Sequence, residues 1–109
     1  MTNDEFLQNR ISLVKKYLSI LGKYKNTTID KLLKNDELRG AVERYLYLAI
    51  QATIDLSEII ISQKKFRKAE YLAESFEILA ENNIIDRDLT QALVKMVGFR
   101  NILSHGYHK

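Results

Sequence analysis

The residues best suited to chemistry lie near the C-terminus, in the run from Arg100 to Tyr107 (RNILSHGY). Arg100 carries a permanently charged, planar guanidinium that suits phosphate oxygens. His105 carries an imidazole with an ordinary pKa of about 6.5, so it can accept a proton near neutral pH. Two such groups can cleave RNA without a metal. A base takes the proton of a ribose 2′-hydroxyl, which attacks the adjacent phosphorus, and a cation stabilises the charge that gathers on the phosphate oxygens.

The spacing of these residues sets a geometric condition on that chemistry. Asn101 and His105 share one helix face, so Asn101 can orient the imidazole or donate to a substrate, and Ser104 is a further supporting candidate. Arg100 and His105 lie about 140° apart around a straight helix. They converge only if the helix ends near His105 or if two copies of the run meet. The structural alternative is that both residues serve the helix dipole alone.

Helices are the elements predicted to position this run. The 109 residues include no proline and only four glycines, which favours long helices over a turn-rich β architecture. Apolar residues recur every three or four positions, as in amphipathic helices. The predicted segments are 4–21 capped by Asn3, a short helix at 28–34, a long helix from the cap Asn35 to about 63, a helix at 69–81, and a last helix from the cap Asp86 to a stop at Gly106. Together they predict one all-α, up-and-down bundle.

Some apolar positions do not fit a single stripe per helix. On the long helix, Tyr47, Ile50, Ile54 and Ile61 lie off the main stripe. A helix that is apolar on more than one face is usually covered on more than one face. A homodimer is therefore predicted, with a broad core stripe in a monomer as the alternative. The helix at 69–81 is expected to bury four apolar residues, Leu72, Phe76, Leu79 and Ala80. The apolar positions of the last helix include Leu89, Ala92, Leu93, Met96, Val97 and Leu103.

Composition excludes some classes of site and partner. The absence of cysteine excludes disulfides and thiolate metal sites. His105 and His108 lack an obvious third ligand, so no metal site or cofactor is predicted. The net charge of +3 suits a phosphate-bearing partner without requiring one. The basic stretch 64–68 is either part of an RNA track or a solvated helix end. With no signal-peptide pattern and no apolar run near the roughly 20 residues of a membrane span, a cytoplasmic protein is expected, with no membrane partner.

The C-terminal run also resembles a known family signature. Arg100-Asn101-x-x-x-His105-x-Tyr107 is similar to the Arg-x4-His-x-Tyr motif of HepT toxins in the HEPN superfamily. Further similarity lies at 38–44 (LRGAVER), 49–55 (AIQATID), 76–79 (FEIL), 83–85 (NII) and 93–99 (LVKMVGF). A bare Arg-x4-His is a weak signal, but its place after this helical context makes the match more specific.

The resemblance implies a four- to five-helix HEPN bundle that dimerises, with both motifs beside a shared cleft. It implies a metal-independent endoribonuclease with Arg100 and His105 as catalytic residues. The implied partner is a minimal nucleotidyltransferase, the antitoxin MntA, which transfers AMP to the motif tyrosine, here Tyr107. The added anionic group would repel RNA. Family members usually continue for another helix after the tyrosine, so a single domain over 1–109 without that helix is expected.

Two other interpretations remain open from the sequence. One is a non-catalytic HEPN module that docks on a nucleotidyltransferase and presents RNA or a nucleotide to it. The other is a purely structural helical dimer, in which the motif residues are dispensable for both binding and activity.

Overall fold

The computed structural model describes residues 2–105 of the chain, with side chains described through residue 103. The described part forms five helices: α1 (Asn3–Gly22), α2 (Ile29–Lys34), α3 (Asp36–Lys64), α4 (Glu74–Glu81) and α5 (Arg87–His105). No strand occurs among these residues. The predicted all-α bundle is therefore confirmed. Gly106, the predicted stop of the last helix, lies outside the described residues.

Side-chain caps set the N-terminal ends of four helices. Thr2, Thr28, Asn35 and Asp86 each accept a hydrogen bond from the backbone N–H three residues later, at 2.8–3.2 Å. Such caps satisfy amides that have no partner within the helix. The predicted caps Asn35 and Asp86 are confirmed. The prediction for the first helix is wrong, because Thr2 has the extended backbone of a cap and Asn3 is already helical.

The predicted helix over 69–81 begins five residues late, at Glu74. Lys65 ends α3 in the left-handed conformation, with φ 58°, and residues 66–73 are not helical. Within this connection Phe66 and Ala69 pack against the buried cluster of Ile61, Ile78 and Leu79. That packing, rather than helical propensity, decides the backbone here. As a result Leu72 is 39% exposed, contrary to the prediction that it is buried.

Helix α3 is the centre of the molecule and contacts each of the other four helices. Its partners α1 and α5 run antiparallel to it. Gln63 near the end of α3 bonds the carbonyl of Asn3 at the start of α1. Ile85, just before α5, packs against the cluster that contains Ile61 late in α3, whereas Leu103 late in α5 shares a cleft with Glu43 early in α3. By length and composition α3 could cross a bilayer. Central helices of soluble proteins meet the same criteria, and α3 occupies that central place.

Three of the off-stripe residues of α3 are covered within the chain. Ile50 and Ile54 belong to a buried cluster with Phe76 of α4 and Val97 of α5, and Ile61 packs with Ile78 and Leu79. The inference that a second copy covers these three is therefore wrong. Helix α1 packs along α3 as well, with the rings of Tyr17 and Tyr45 6.4 Å apart. Among the apolar positions of the last helix, Leu89 is 46% exposed and Ala92 is exposed as well.

Candidate active site

Arg100 lies near the end of α5, with a half-buried side chain tied to α3. Its Nε and Nη2 atoms both donate to Oε1 of Gln51, at 3.1 and 2.9 Å. Its Nη1 atom donates to Oδ1 of the neighbouring Asn101, at 2.9 Å. Three donors of the guanidinium are thus engaged, and hydrogen bonds from a charged donor are stronger than those between neutral groups. Arg100 is consequently held in one orientation before any substrate is present.

An aromatic ring supports the same guanidinium. The Cζ atom of Arg100 lies 5.4 Å from the centre of the Tyr47 ring, and Cζ of Arg44 lies 5.9 Å from the same centre. Cations within about 6 Å of a ring centre are attracted by its π electrons. A shallow cleft of about 310 Å³ opens beside this ring, lined by Glu43, Arg44, Tyr47 and Leu103. Arg44 and Glu43 contribute one charge of each sign to its lining, and the guanidinium of Arg100 adds a second positive charge beside the Tyr47 ring.

A chain of polar side chains continues along α3 from the Arg100 contact. Nε2 of Gln51 donates to Oδ1 of Asp55 at 3.0 Å, and both side chains are half-buried. One turn further on, desolvation raises the pKa of Glu58, and the negative charge of Asp55 adds to that rise. Because Tyr47, Gln51 and Asp55 are four residues apart, they lie on one face of α3. This face meets the end of α5 that carries Arg100.

Of the remaining predicted site residues, the structure describes Asn101 in full and only the backbone of Ser104 and His105. Asn101 is exposed and accepts from Arg100, a contact that the sequence did not predict. Ser104 and His105 are helical, but their side chains lie outside the described part, as does the whole of Tyr107. The prediction that Asn101 orients His105 is thus untested. Helix α5 is continuous from Arg100 to His105, and their convergence through a helix end near His105 or through a second copy stays a prediction.

Sequence reasoning missed Gln51 and Tyr47 as parts of this site. They precede Arg100 by about fifty residues, and glutamine and tyrosine are common on helix surfaces. One signal was available: Tyr47 lies off the apolar stripe of α3, and Tyr47, Gln51 and Asp55 recur at intervals of one turn. Among the described residues, no group of three or more histidine, aspartate or glutamate side chains is arranged to bind a metal ion.

The basic stretch after α3 has a partly structural role. Arg67 pairs through two nitrogens with Glu81, at 2.6 and 3.1 Å, and through a third with Glu74, at 3.1 Å. These contacts tie the 66–73 connection to both ends of α4. Arg67 is therefore engaged within the fold, and an RNA track in this stretch depends on the exposed lysines Lys64, Lys65 and Lys68.

Comparison with known proteins identifies the family. The model of the HepT-like family, described as "Ribonuclease HepT-like", matches residues 2–109, nearly the whole chain. The chain belongs to the HepT-like family. The resemblance drawn from the Arg-x4-His-x-Tyr run is thereby confirmed, and the family's ribonuclease description is the activity that the run predicted.

Two curated HepT relatives are similar in sequence. The tRNA nuclease HepT of Aphanizomenon flos-aquae is 34% identical, over 98% of this chain and 74% of the relative. The mRNA nuclease HepT of Shewanella oneidensis is 36% identical over 72 residues, which are 66% of this chain and 54% of the relative. These two HepT nucleases are thus named for different classes of RNA.

A solved HepT-like structure shares the fold. The tri-AMPylated HEPN toxin of Shewanella oneidensis, in complex with an MNT antitoxin, superposes with a TM-score of 0.85 at 28% identity, covering all of this chain and 80% of the toxin. A toxin–antitoxin structure with AMP-PNP superposes with a TM-score of 0.84 at 29% identity, over 93% of this chain and 76% of that one. The five-helix arrangement described above is therefore that of the HEPN toxins.

Proposed function

We propose that this chain is the metal-independent endoribonuclease toxin of a toxin–antitoxin pair, with Arg100 and His105 as its catalytic residues. The observation that carries the proposal is the guanidinium of Arg100, fixed by Gln51 and placed against Tyr47. The chain that carries this arginine is a member of the HepT-like family. An arginine held in this way can stabilise the negative charge that develops on a phosphate, since its orientation is set before the reaction.

The proposed reaction breaks one phosphodiester bond. His105 removes the proton of a ribose 2′-hydroxyl, the 2′-oxygen forms a bond to phosphorus, and the bond from phosphorus to the 5′-oxygen breaks. The 5′-oxygen leaves with a proton from water or from the imidazolium. Arg100 stabilises the negative charge on the two non-bridging oxygens. Asn101 and Ser104 are the supporting residues, on the same stretch of α5.

The proposed partner is a minimal nucleotidyltransferase that silences the toxin by transferring AMP to Tyr107. The complex of an AMPylated HEPN toxin with an MNT antitoxin supports this part of the proposal. Tyr107 follows His105 by two residues. A phosphate attached there adds negative charge close to the catalytic groups, and RNA is repelled by it.

The active unit is proposed to be a homodimer in the cytoplasm. Apolar side chains remain exposed on α2 and near the end of α5. Ile29, Leu33 and Phe99 line one groove, and Ile102 follows Phe99 by one turn of α5. Contiguous exposed apolar surface of this kind is typical of association surfaces. A partner there would bring a second copy of the motif close to the first, which is one of the two ways to make Arg100 and His105 converge.

The deciding experiment is cleavage of an end-labelled RNA by the purified protein in excess EDTA. Cleavage is expected from the wild type and from Arg87→Ala, which removes an arginine at the far end of α5. Arg100→Ala and His105→Ala are expected to lose it. A sample preincubated with the cognate nucleotidyltransferase and ATP is expected to be inactive and to gain mass in units of AMP on Tyr107.

Two outcomes would contradict the proposal. Cleavage that persists in both Arg100→Ala and His105→Ala would indicate a contaminating nuclease. Stable binding of the nucleotidyltransferase, with no RNA cleavage by any sample, would favour the non-catalytic binding module.

A further inference from the structure

The amide of Gln51 has a defined direction because of Asp55. A carboxylate has no proton to donate, so Gln51 must present its NH₂ group to Asp55, and the bond from Nε2 to Oδ1 is 3.0 Å long. The amide oxygen then points the other way, at Arg100. It accepts from both Nε and Nη2, at 3.1 and 2.9 Å. If the amide were turned over, its NH₂ group would face the guanidinium and neither bond to Arg100 could form.

These contacts use one particular edge of the guanidinium. The bonds to Gln51 use the edge formed by Nε and Nη2, and the bond to Asn101 uses one hydrogen of Nη1. Since each terminal nitrogen carries two hydrogens, one hydrogen on Nη1 and one on Nη2 remain for a ligand. Arginine binds a phosphate through two oxygens with the N–H groups of one edge, and the edge formed by Nη1 and Nη2 is the one that Gln51 does not occupy.

From this geometry we infer that Asp55 and Gln51 form a positioning relay, which aims the two terminal nitrogens of Arg100 at the scissile phosphate. The inference rests on the proposed function and adds two residues to it. Asp55 fixes the direction of the Gln51 amide, Gln51 fixes the rotation of the guanidinium, and the Tyr47 ring limits its displacement. Neither Gln51 nor Asp55 touches the reacting atoms, so both are positioning residues.

The first test replaces Gln51 by methionine, which has a similar length and no amide. Gln63→Met is the matched control, because Gln63 lies three turns further along α3 and bonds the carbonyl of Asn3. The charge that Arg100 stabilises develops in the transition state, so kcat is expected to fall about 10- to 100-fold in Gln51→Met, the scale on which small displacements of a catalytic group act. KM is expected to change less than about threefold, because uniform substrate binding is retained.

A second test exchanges the amide of position 51 and the carboxylate of position 55. Asp55→Asn allows both directions of the Gln51 amide, and a several-fold fall in kcat is expected. In the double variant Gln51→Glu with Asp55→Asn, the carboxylate at 51 accepts from both the new amide and Arg100. This double variant is expected to recover at least about tenfold in kcat over Gln51→Met, a rescue that a residue serving only the stability of the fold would not show.

A readout that does not depend on cleavage keeps this inference separable from the proposed function. The Nε–H of Arg100 is bonded to Gln51, so its NMR resonance is expected to be protected from exchange with water. That protection should be present in the wild type and Gln63→Met, and lost in Gln51→Met. Protection with no RNA cleavage by the wild type would overturn the proposed function while supporting the relay.

Two results would overturn the relay itself. One is an Arg100 Nε–H resonance whose protection is the same in Gln51→Met and the wild type. The other is a kcat for Gln51→Met equal to that of Gln63→Met in a wild-type protein that cleaves RNA.

Discussion

The charged group of Arg100 and the orientation of that group come from different parts of the chain. The guanidinium belongs to the C-terminal run, but its orientation comes from Gln51 and Tyr47 on α3. The residue types and their spacing were enough to predict Arg100 and His105, because few side chains offer a permanent cation or a proton acceptor near neutral pH. Gln51 could not be predicted in this way, since its role depends on which helix face meets α5.

Tyr47 offers a test of how much the aromatic ring contributes at this site. Tyr47→Phe keeps the ring beside Arg100 and is expected to retain the wild-type rate of RNA cleavage within about twofold. Tyr47→Leu removes the ring and is expected to lower that rate about 3- to 30-fold, because a cation–π contact contributes roughly 0.5–2 kcal/mol. Initial rates on one labelled RNA at saturating concentration measure both. Equal rates in the two variants would show that the ring does not hold Arg100.

At the scale of single elements, helix ends were predictable and the connection before α4 was not. Asn35 and Asp86 were predicted as caps because their short polar side chains reach the free amides of the first turn. Residues 66–73 carry no such local signal. Their conformation is decided by Phe66 and Ala69, which pack on buried residues from two helices, and by the ion pairs of Arg67.

The ion pairs of Arg67 predict how stability depends on pH. The pKa of Glu74 lies below its ordinary value of 4.5, first because of the backbone N–H of Glu70 and then because of Arg67. The pKa of Glu81 is also lowered, chiefly by its hydrogen bonds from Arg67. A depressed folded-state pKa stabilises the protein above the unfolded value and ceases to do so as pH falls through the folded value. Stability is therefore expected to decline below about pH 4.5.

Arg67→Gln should weaken this decline, because Glu81 then titrates closer to its unfolded value. The measurement is Tm between pH 3 and pH 7, with Lys68→Gln as a control that removes the same charge from the neighbouring position. A slope of Tm against pH that is as steep in Arg67→Gln as in Lys68→Gln would contradict this role of the Arg67 ion pairs.

A buried serine pair joins α3 to α4 and is the second test at this scale. The Oγ atoms of Ser57 and Ser75 are 2.8 Å apart, and each also lies within bonding distance of a backbone carbonyl, of Ile54 and Leu72 respectively. Each hydroxyl has one hydrogen, so one donates to its neighbour while the other donates to its carbonyl. Ser57→Ala is expected to lower the free energy of unfolding by about 1–2 kcal/mol.

Urea denaturation measures this loss, with the exposed Ser62→Ala on the same helix as the control. Because the two hydroxyls share one hydrogen bond, the loss in the double variant Ser57→Ala with Ser75→Ala is expected to be smaller than the sum of the single losses. Strict additivity would show that the two side chains do not interact.

At the scale of the whole molecule, the central position of α3 explains its apolar pattern. A helix with neighbours on several sides is apolar on several faces, and a single chain here supplies those neighbours. The dimer was predicted from four residues, Tyr47, Ile50, Ile54 and Ile61, and the three isoleucines are covered within the chain. The surface proposed for a second copy is instead formed by exposed apolar residues on α2 and at the end of α5.

That surface gives a test of the dimer. The wild type is expected to sediment with twice the mass of one chain, and Ile102→Asp with the mass of one, because a carboxylate buried in an apolar interface costs several kcal/mol. Leu18→Asp is the matched control, as Leu18 of α1 is 57% exposed and Ile102 is 58% exposed. Sedimentation velocity at several concentrations distinguishes the species. A wild type that remains monomeric would refute the dimer, and a monomeric Leu18→Asp beside a dimeric Ile102→Asp would place the interface on α1.

The sequence by itself determined the fold class and most helix ends, and it singled out Arg100 and His105 as the proposed catalytic pair, because these follow from local spacing, caps and side-chain chemistry. The tertiary structure decided the features that depend on contacts between distant segments. It placed Gln51 and Tyr47 beside Arg100, covered Ile54 with α4 and α5, and kept residues 66–73 out of the helix. Residues this far apart in sequence meet only when the packed faces of the helices are set, and no short sequence pattern encodes that pairing.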